Sequence, residues 1–184
     1  MSHLILQDPR VHALLLEVDG TLAAATKERG CKHCGGRLHE GGFARKPRGV
    51  PAGLREMFSR RVSFDCSRCR HRTRPPSVRF FDRRGYVAPA VALVCPRGPA
   101  SRSWLCRALN VPAATVRRWR QWWHERFARS ALWSFKRADF VPAVNEAALP
   151  GSAIERFDAT DAGGRLVQFL RFLLPTSTTG ALPV

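Results

Sequence analysis

Acidic residues are scarce in this chain. The 184 residues hold 14 Asp and Glu against 31 Lys and Arg, a formal net charge of +17. The ends do not contribute to that excess: residues before Cys31 sum to −1 and those from Asp139 onward to −2, which leaves +20 on the stretch between. Long apolar runs are missing too. None approaches the roughly 18 to 20 residues that a helix needs to cross a bilayer. The opening stretch "MSHLILQDPRVHALLLEVDG" has no basic region ahead of its apolar run, so it does not read as a signal peptide. No βαβ pattern accompanies the C-x-x-C motifs, which argues against a thioredoxin-like redox site. These gaps place the chain in a bacterial cytoplasm, on the nucleoid, with reduced thiols and no membrane association.

What is present is a foldable composition with one dense positive field. Hydrophobic residues make up 45% of the chain, too many for a disordered basic tail. A field of this size attracts polyanions and speeds encounter with them. Nucleic acid is therefore the expected partner.

Four of the six cysteines have a metal-ligand pattern. Cys31 and Cys34 form one C-x2-C, Cys66 and Cys69 a second, with 31 residues between them. Two such knuckles can offer four thiolates to a tetrahedral Zn2+ from two adjacent turns. Gly35 and Gly36 follow the first pair, where a tight turn brings backbone amides toward sulfur. The long gap requires extra structure, and "PAGLREMF" within it suits a short helix. His33, His39 and His71 find no vacancy among four thiolates and read as surface groups. Cys95 and Cys106 lie in apolar surroundings and read as core thiols.

The strands next to the knuckles carry the first set of nucleic-acid contacts. "RLHEGGFAR" reads as two short arms around a Gly-Gly turn. After the second knuckle Arg70, Arg72 and Arg74 alternate, so a strand would put them on one phosphate-facing side. "RKPRG" holds Arg45, Lys46 and Arg48 in an extended stretch, because Pro47 disfavours helix before it. It suits either a basic arm in a minor groove or a plain basic loop.

Beyond residue 87 the pattern turns helical. Pro89 suits the first turn of a helix stopped by Pro96 or Gly98. Ser101 caps a short helix from Arg102 to Leu109, Asn110 takes a left-handed turn, and Val111 plugs the corner. A second helix starts near Pro112 or Ala113 and buries Val116, Trp119, Trp123 and Phe127. Its outward residues are then Ala113, Ala114, Thr115, Arg117, Arg118 and Gln121. Trp122 falls partly off the stripe and suits a flanking helix or a base. Two helices around a short turn have the helix-turn-helix layout, whose second helix enters the major groove. Small residues at its start let the backbone approach, and Arg and Gln can pair with guanine and adenine edges. Arg120 and Arg126 suit phosphates.

"LCRALNVPAATVRRW" resembles the helix-turn-helix of insertion-sequence transposases, with "TVRRW" at Thr115 to Trp119. "FDCSRCRHRTRPPSVRFFDRRGY" resembles the zinc ribbon that precedes it in several transposon-encoded families. The likeness runs from about Cys31 to Phe127. It departs from the pattern at Asn110-Val111, where Gly or Gly-Val is usual; a transposase should also continue into a catalytic domain, and the expectation here is a chain without one. Two further likenesses are fragmentary. "LLLEVDGTL" resembles the first motif of haloacid-dehalogenase phosphatases, but Glu17 stands where the nucleophilic Asp belongs. "HRTR" matches the H-x-x-R of tyrosine recombinases, with Tyr86 the sole tyrosine, yet it lies two residues after a knuckle. The central acids Glu40, Glu56, Asp65, Asp82 and Glu125 lack the strand order of a two-metal nuclease.

The expected fold is α+β: a small zinc ribbon followed by a helix-turn-helix, with amphipathic helices at both ends. Its parts are an N-terminal helix (1–30), the ribbon (31–86), the helix-turn-helix (87–138) and a C-terminal helical segment with a flexible tail (139–184). At the N-terminal end Asp8 caps, Pro9 takes the first position, and Val11, Leu14, Leu15, Val18 and Leu22 form the stripe. At the C-terminal end Leu166, Phe169, Leu170, Leu173 and Leu174 do so, with Pro175 as the stop and "TSTTGALPV" as the tail. The two end helices pack on the central core or offer a surface to a partner. The expected function is a non-catalytic, zinc-stabilised DNA-binding protein of a bacterial mobile element. Its partners would be DNA, a transposase, recombinase or reverse transcriptase, and a second copy of the chain. The alternative is a subunit that binds structured RNA in a mobile-element or defence ribonucleoprotein. A catalytic recombinase fragment ranks third.

Overall fold

Asp8 and Pro9 start the longest helix. The computed structural model describes residues 2–81, 86–94 and 99–178. After a short helix α1 (Ser2–Gln7), Asp8 is extended and its carboxylate accepts from the Arg10 amide, while Pro9 occupies the first turn of α2 (Pro9–Arg29). Val11, Leu15 and Val18 are buried as expected, but Leu14 is 39% exposed. The reason is that the buried face is turned toward His12, Asp19, Ala23 and Thr26, three of them polar.

The sheet has order β1-β2-β3 and is antiparallel: β1 (Leu38–Ala44), β2 (Arg60–Cys66) and β3 (Arg72–Thr73). β1 pairs with β2 without a break from Leu38↔Cys66 to Ala44↔Arg60. The expected Gly41-Gly42 turn is therefore wrong; both glycines are strand residues, opposite Ser63 and Val62. The chain reverses later, through residues 45–59. There the expected helix is two 3-10 turns, Ala52–Leu54 and Glu56–Phe58. One side of the sheet, with Leu38, Phe64 and Cys66, packs with Ala23 and Cys31 in a small core. A second ladder joins β4 (Phe80–Phe81) to β5 (Tyr86–Val87).

The helical part follows. α3 (Ala88–Ala92) has Pro89 in its first turn; its expected stop residues, and Cys95, lie outside the described residues. α4 (Pro99–Leu109) begins before Ser101, which is a helical residue and not the cap. Asn110 turns the chain with φ +49°, and Val111 is buried beside it. α5 (Ala113–Trp122) runs into a π turn, Trp123–Phe127, where the Ala128 amide donates to the Trp123 carbonyl. Val116, Trp119, Trp123 and Phe127 are buried as the stripe predicts, and so are Thr115 and Trp122. Trp122 is a core residue, edge-on to Phe81 at 5.0 Å and to Trp123 at 4.7 Å.

The remaining helices are α6 (Ala131–Lys136), α7 (Gly151–Ile154), α8 (Ala162–Phe172) and α9 (Leu174–Thr178). Leu166, Phe169, Leu170 and Leu173 are buried. Pro175 does not stop the helix. The break comes at Leu173, and Pro175 sits in the first turn of α9, where its missing N–H costs nothing. Thr176 to Thr178, read as tail, are helical, and residues 179–184 lie outside the described residues. The main core gathers Leu6, Val11 and Leu15 from one end, the tryptophans from the middle, and Leu166 to Leu173 from the other. α8 comes close to α2 at Gly163, where a Cβ would stand 2.7 Å from Val11 Cγ2. Among the described residues no helix is long and apolar enough to cross a membrane.

A buried ion pair ties α2 to the strand segment. Asp19 accepts from Arg79 Nε at 2.7 Å, from Ser77 Oγ at 2.6 Å and from the Val78 amide at 2.7 Å. Arg79 also donates to the carbonyls of Met57 and Arg60. Removing one partner of such a pair strands the other charge away from water. Asp19→Ala is therefore expected to lower unfolding free energy by about 3–5 kcal/mol in urea titration, and adding Arg79→Met should recover part of that.

His12 yields a pH prediction. It is buried, its Nε2 donates to the Leu6 carbonyl at 2.9 Å, and its Nδ1 has no hydrogen-bond partner. Burial holds its pKa below the usual value, against the opposing pull of the Leu6 carbonyl and Asp8. The unfolded chain then takes up a proton at a pH where the folded chain does not. This contribution to stability is full above the ordinary His pKa of about 6.5 and is lost as pH falls below it. The urea midpoint of wild type should drop between pH 7.5 and 5.5 more than that of His12→Gln.

Candidate metal centre and basic surface

The two knuckles are built alike. In the first, the Gly35 amide donates to the Cys31 carbonyl at 2.8 Å and the Cys31 amide to the Gly36 carbonyl at 2.9 Å. In the second, the Arg70 amide donates to the Cys66 carbonyl and the Cys66 amide to the His71 carbonyl, both at 3.1 Å. Each turn needs a left-handed residue just after its second cysteine. Gly35 supplies it at φ +67° and Arg70 at φ +59°. The knuckles face each other because β1 leaves the first and β2 enters the second, in register at Leu38↔Cys66.

This brings four thiols together. The sulfurs of Cys31, Cys34, Cys66 and Cys69 all lie within 4.8 Å of one another. Cys31 Sγ is 3.6 Å from Cys69 Sγ, and Cys34 Sγ is 3.5 Å from Cys66 Sγ. These are non-bonded separations, and all four thiols are free. The cluster could hold a metal ion. Backbone amides of Cys69 and Arg68 pull the Cys66 thiol down to about 6. The His71 amide pulls Cys69 the same way, but the thiols of Cys34, Cys31 and Cys66, together with burial, push it up to about 12. Four thiolates at this spacing cannot coexist without a cation, and a divalent ion removes the conflict by taking all four as ligands. Gly36 is essential to the approach: a Cβ there would lie 2.9 Å from Cys66 Sγ and 3.3 Å from Cys34 Sγ. His33, His39 and His71 are exposed, and the rings of His33 and His71 lie 3.7 Å apart.

The structure places the other expected contacts less uniformly. Arg70, Arg72 and Arg74 are exposed but are not a strand row. Arg70 is in a left-handed turn, β3 holds only Arg72 and Thr73, and Arg72 pairs with Asp65 at 3.1 Å. The stretch Arg45 to Gly49 is no free arm. The Arg45 amide donates to Ser59, the Arg48 carbonyl accepts from Val87, and Gly49, at φ +78°, lies against Trp119 and Ala90. Lys46 and Arg48 are exposed and Arg45 is half-buried. On α5, Ala113, Ala114, Arg117, Arg118 and Gln121 are exposed together. Thr115 is not among them: it is buried, and its hydroxyl accepts from Arg118 Nη2 at 3.2 Å. Arg120 is half-buried with Nε donating to the Val94 carbonyl at 3.1 Å, and Gln121 donates to Glu125 at 2.9 Å.

Residue types alone did not single out Arg61 and Arg79. Both are arginines buried around Phe80, in "RRVSF" and "SVRFF"; Arg79 has apolar neighbours on both sides, which was an available signal, whereas Arg61 follows another arginine and offered none. Glu17, at the nucleophile position of the phosphatase-like stretch, is exposed, whereas Asp19 is the buried anchor described above. No family model, curated protein or solved structure matches the chain.

Gly36→Ala tests the centre. The substitution should speed metal transfer to a competing chelator relative to wild type, since its methyl group intrudes between two ligand sulfurs. Gly53→Ala, whose added Cβ would meet nothing within 4 Å, should transfer metal at the wild-type rate.

Proposed function

We propose that the chain is a non-catalytic, zinc-stabilised DNA-binding protein of a bacterial mobile element. In this reading α4, the Asn110 turn and α5 act as a helix-turn-helix, and β1 to β3 with the four thiols act as a zinc ribbon. The observation that carries it is the exposed side of α5, where Ala113, Ala114, Arg117, Arg118 and Gln121 face solvent opposite the buried Val116, Trp119 and Trp122. Small residues at the start of the helix allow close approach to a groove. The guanidinium groups suit guanine O6 and N7, and Gln121 suits adenine once it leaves Glu125. The +20 of the central stretch supplies the sequence-independent attraction.

Zinc fits the thiol cluster by chemistry and by size. It takes four soft ligands tetrahedrally, and a Zn–S bond of about 2.3 Å sets neighbouring sulfurs about 3.8 Å apart. The pairs at 3.5 and 3.6 Å are close to that value. Cys31, Cys34, Cys66 and Cys69 would hold the ion, whose role is to fix the fold of a small sheet. The likeness of "LCRALNVPAATVRRW" to transposase helix-turn-helix segments supports a mobile-element setting, with a transposase, recombinase or reverse transcriptase as the protein partner.

Random-site selection with the zinc-loaded chain is expected to return a defined duplex motif. Arg117→Ala should relax preference at particular base pairs by about 1–3 kcal/mol. Selection that returns no motif, with tighter binding to a folded RNA at equal salt, would overturn the DNA reading in favour of RNA.

A further inference from the structure

Within the thiol cluster, two close pairs each span both knuckles. Cys31 Sγ is 3.6 Å from Cys69 Sγ, and Cys34 Sγ is 3.5 Å from Cys66 Sγ. The pairs share no residue, so both can be bonded at once. Each has to close by roughly 1.5 Å to reach the disulfide distance of about 2.0 Å. The backbone bonds that shape the knuckles, Gly35 to Cys31 and Arg70 to Cys66, involve no sulfur and need not break. Access to the sulfurs is graded in the same pairs. Cys69 is exposed and its partner Cys31 is buried; Cys34 is half-buried and its partner Cys66 is buried. Each pair thus joins a sulfur that an oxidant can reach to one that waits behind it, the arrangement of an attacking and a resolving cysteine.

We infer that the cluster is a site of oxidation, where hydrogen peroxide converts the four ligands into the disulfides Cys31–Cys69 and Cys34–Cys66, and that these clasp the knuckles in the metal's place. In the first step the Cys69 sulfur attacks peroxide, the O–O bond breaks, hydroxide leaves and a sulfenic acid remains. The Cys31 sulfur then attacks the Cys69 sulfur, the S–O bond breaks and a second hydroxide leaves. Two protons, from the thiols or from solvent, turn the hydroxides into water. Two sulfurs are oxidised and one peroxide is reduced per disulfide, so the full cluster consumes two. With two ligands gone the site no longer offers four thiolates, the metal leaves, and Cys34 and Cys66 close likewise. Cross-knuckle bonds join cysteines 38 and 32 residues apart in sequence, whereas a bond inside a C-x2-C joins residues three apart. The longer loops restrict the unfolded chain more and so favour these disulfides. They also tie the start of β1 to the end of β2, where Leu38 already faces Cys66. None of this rests on the DNA reading.

The test uses the full-length, reduced, zinc-loaded chain with hydrogen peroxide added stepwise. Freed zinc is read with a chromogenic chelator. Remaining thiols are alkylated, and the chain is digested without reductant so that linked peptides can be weighed by mass spectrometry. One equivalent of peroxide is expected to give mainly the Cys31–Cys69 peptide. Two equivalents should give both cross-knuckle peptides and free the bound zinc. In the oxidised, zinc-free chain the β1 and β2 amides should stay protected from hydrogen exchange, while in the reduced, zinc-free chain they should lose that protection. Links inside a knuckle, links to Cys95 or Cys106, or sulfinic acids in place of disulfides would overturn the inference. So would exchange of β1 and β2 as fast in the oxidised chain as in the reduced one, or zinc and all four thiols left intact by excess peroxide. If the purified chain holds no zinc, the zinc reading falls, and the linked peptides from the reduced chain still decide this one.

Discussion

The pairing of Asp19 with Arg79 is the constraint on which much of the arrangement depends. α2 contributes to two cores at once: Leu15 and Val18 to the large one, Ala23 to the small one under the sheet. Its rotation decides whether both are filled. Hydropathy alone would turn Leu14 inward; the carboxylate of Asp19, bound to three donors from Ser77 to Arg79, turns it outward. Arg79 extends the link to the carbonyls of Met57 and Arg60, so helix, 3-10 turn and β2 converge on one ion pair. An ion pair so deep is an expensive joint, and its merit is direction. An apolar contact would tolerate a range of helix rotations, whereas these bonds allow few.

The chain's aromatic residues do the corresponding work at the other end. A run of ring contacts passes from Phe81 through Trp122, Trp123 and Phe127 to Trp133, Phe140 and Phe157. Trp123 donates to Val91 and Trp133 to Glu146, so both indoles are anchored by a hydrogen bond as well as by packing. Gly49 connects the two halves of this account. With no side chain it lets Trp119 of α5 press against the segment between β1 and β2, at a φ that other residues rarely adopt. The basic stretch around it is thereby part of the body of the protein.

The parts that could be read from the sequence were those with a strict period or spacing. The paired C-x2-C motifs gave the four-thiol cluster, and the threes and fours of Val116, Trp119, Trp123 and Phe127 gave the buried side of α5. The left-handed Asn110 followed from its position between two helices. Three kinds of feature escaped. Gly41 and Gly42 look like a turn, yet their β-sheet partners Ser63 and Val62 are contributed by a strand 20 residues away, which local sequence does not display. Arg70, Arg72 and Arg74 have a strand's alternation, but the geometry of the knuckle claims Arg70 and a carboxylate claims Arg72. Arg61 and Arg79 look like surface charges, and only tertiary packing puts them around Phe80. The α+β class, the small sheet and the thiol cluster were thus legible, while the surroundings of the arginines were not.

The distribution of tryptophan has a spectroscopic consequence. All five indoles lie between Trp104 and Trp133, and four of them are buried in the helical core. The sheet and its thiols contain none. Tryptophan emission from this protein therefore reports the helical part and what packs on it, and Co2+ in the thiol site would give the sheet its own visible absorption. Unfolding of the two parts can be followed separately in one cuvette, without a label, and any lag between the two signals measures how strongly the Asp19 joint couples them.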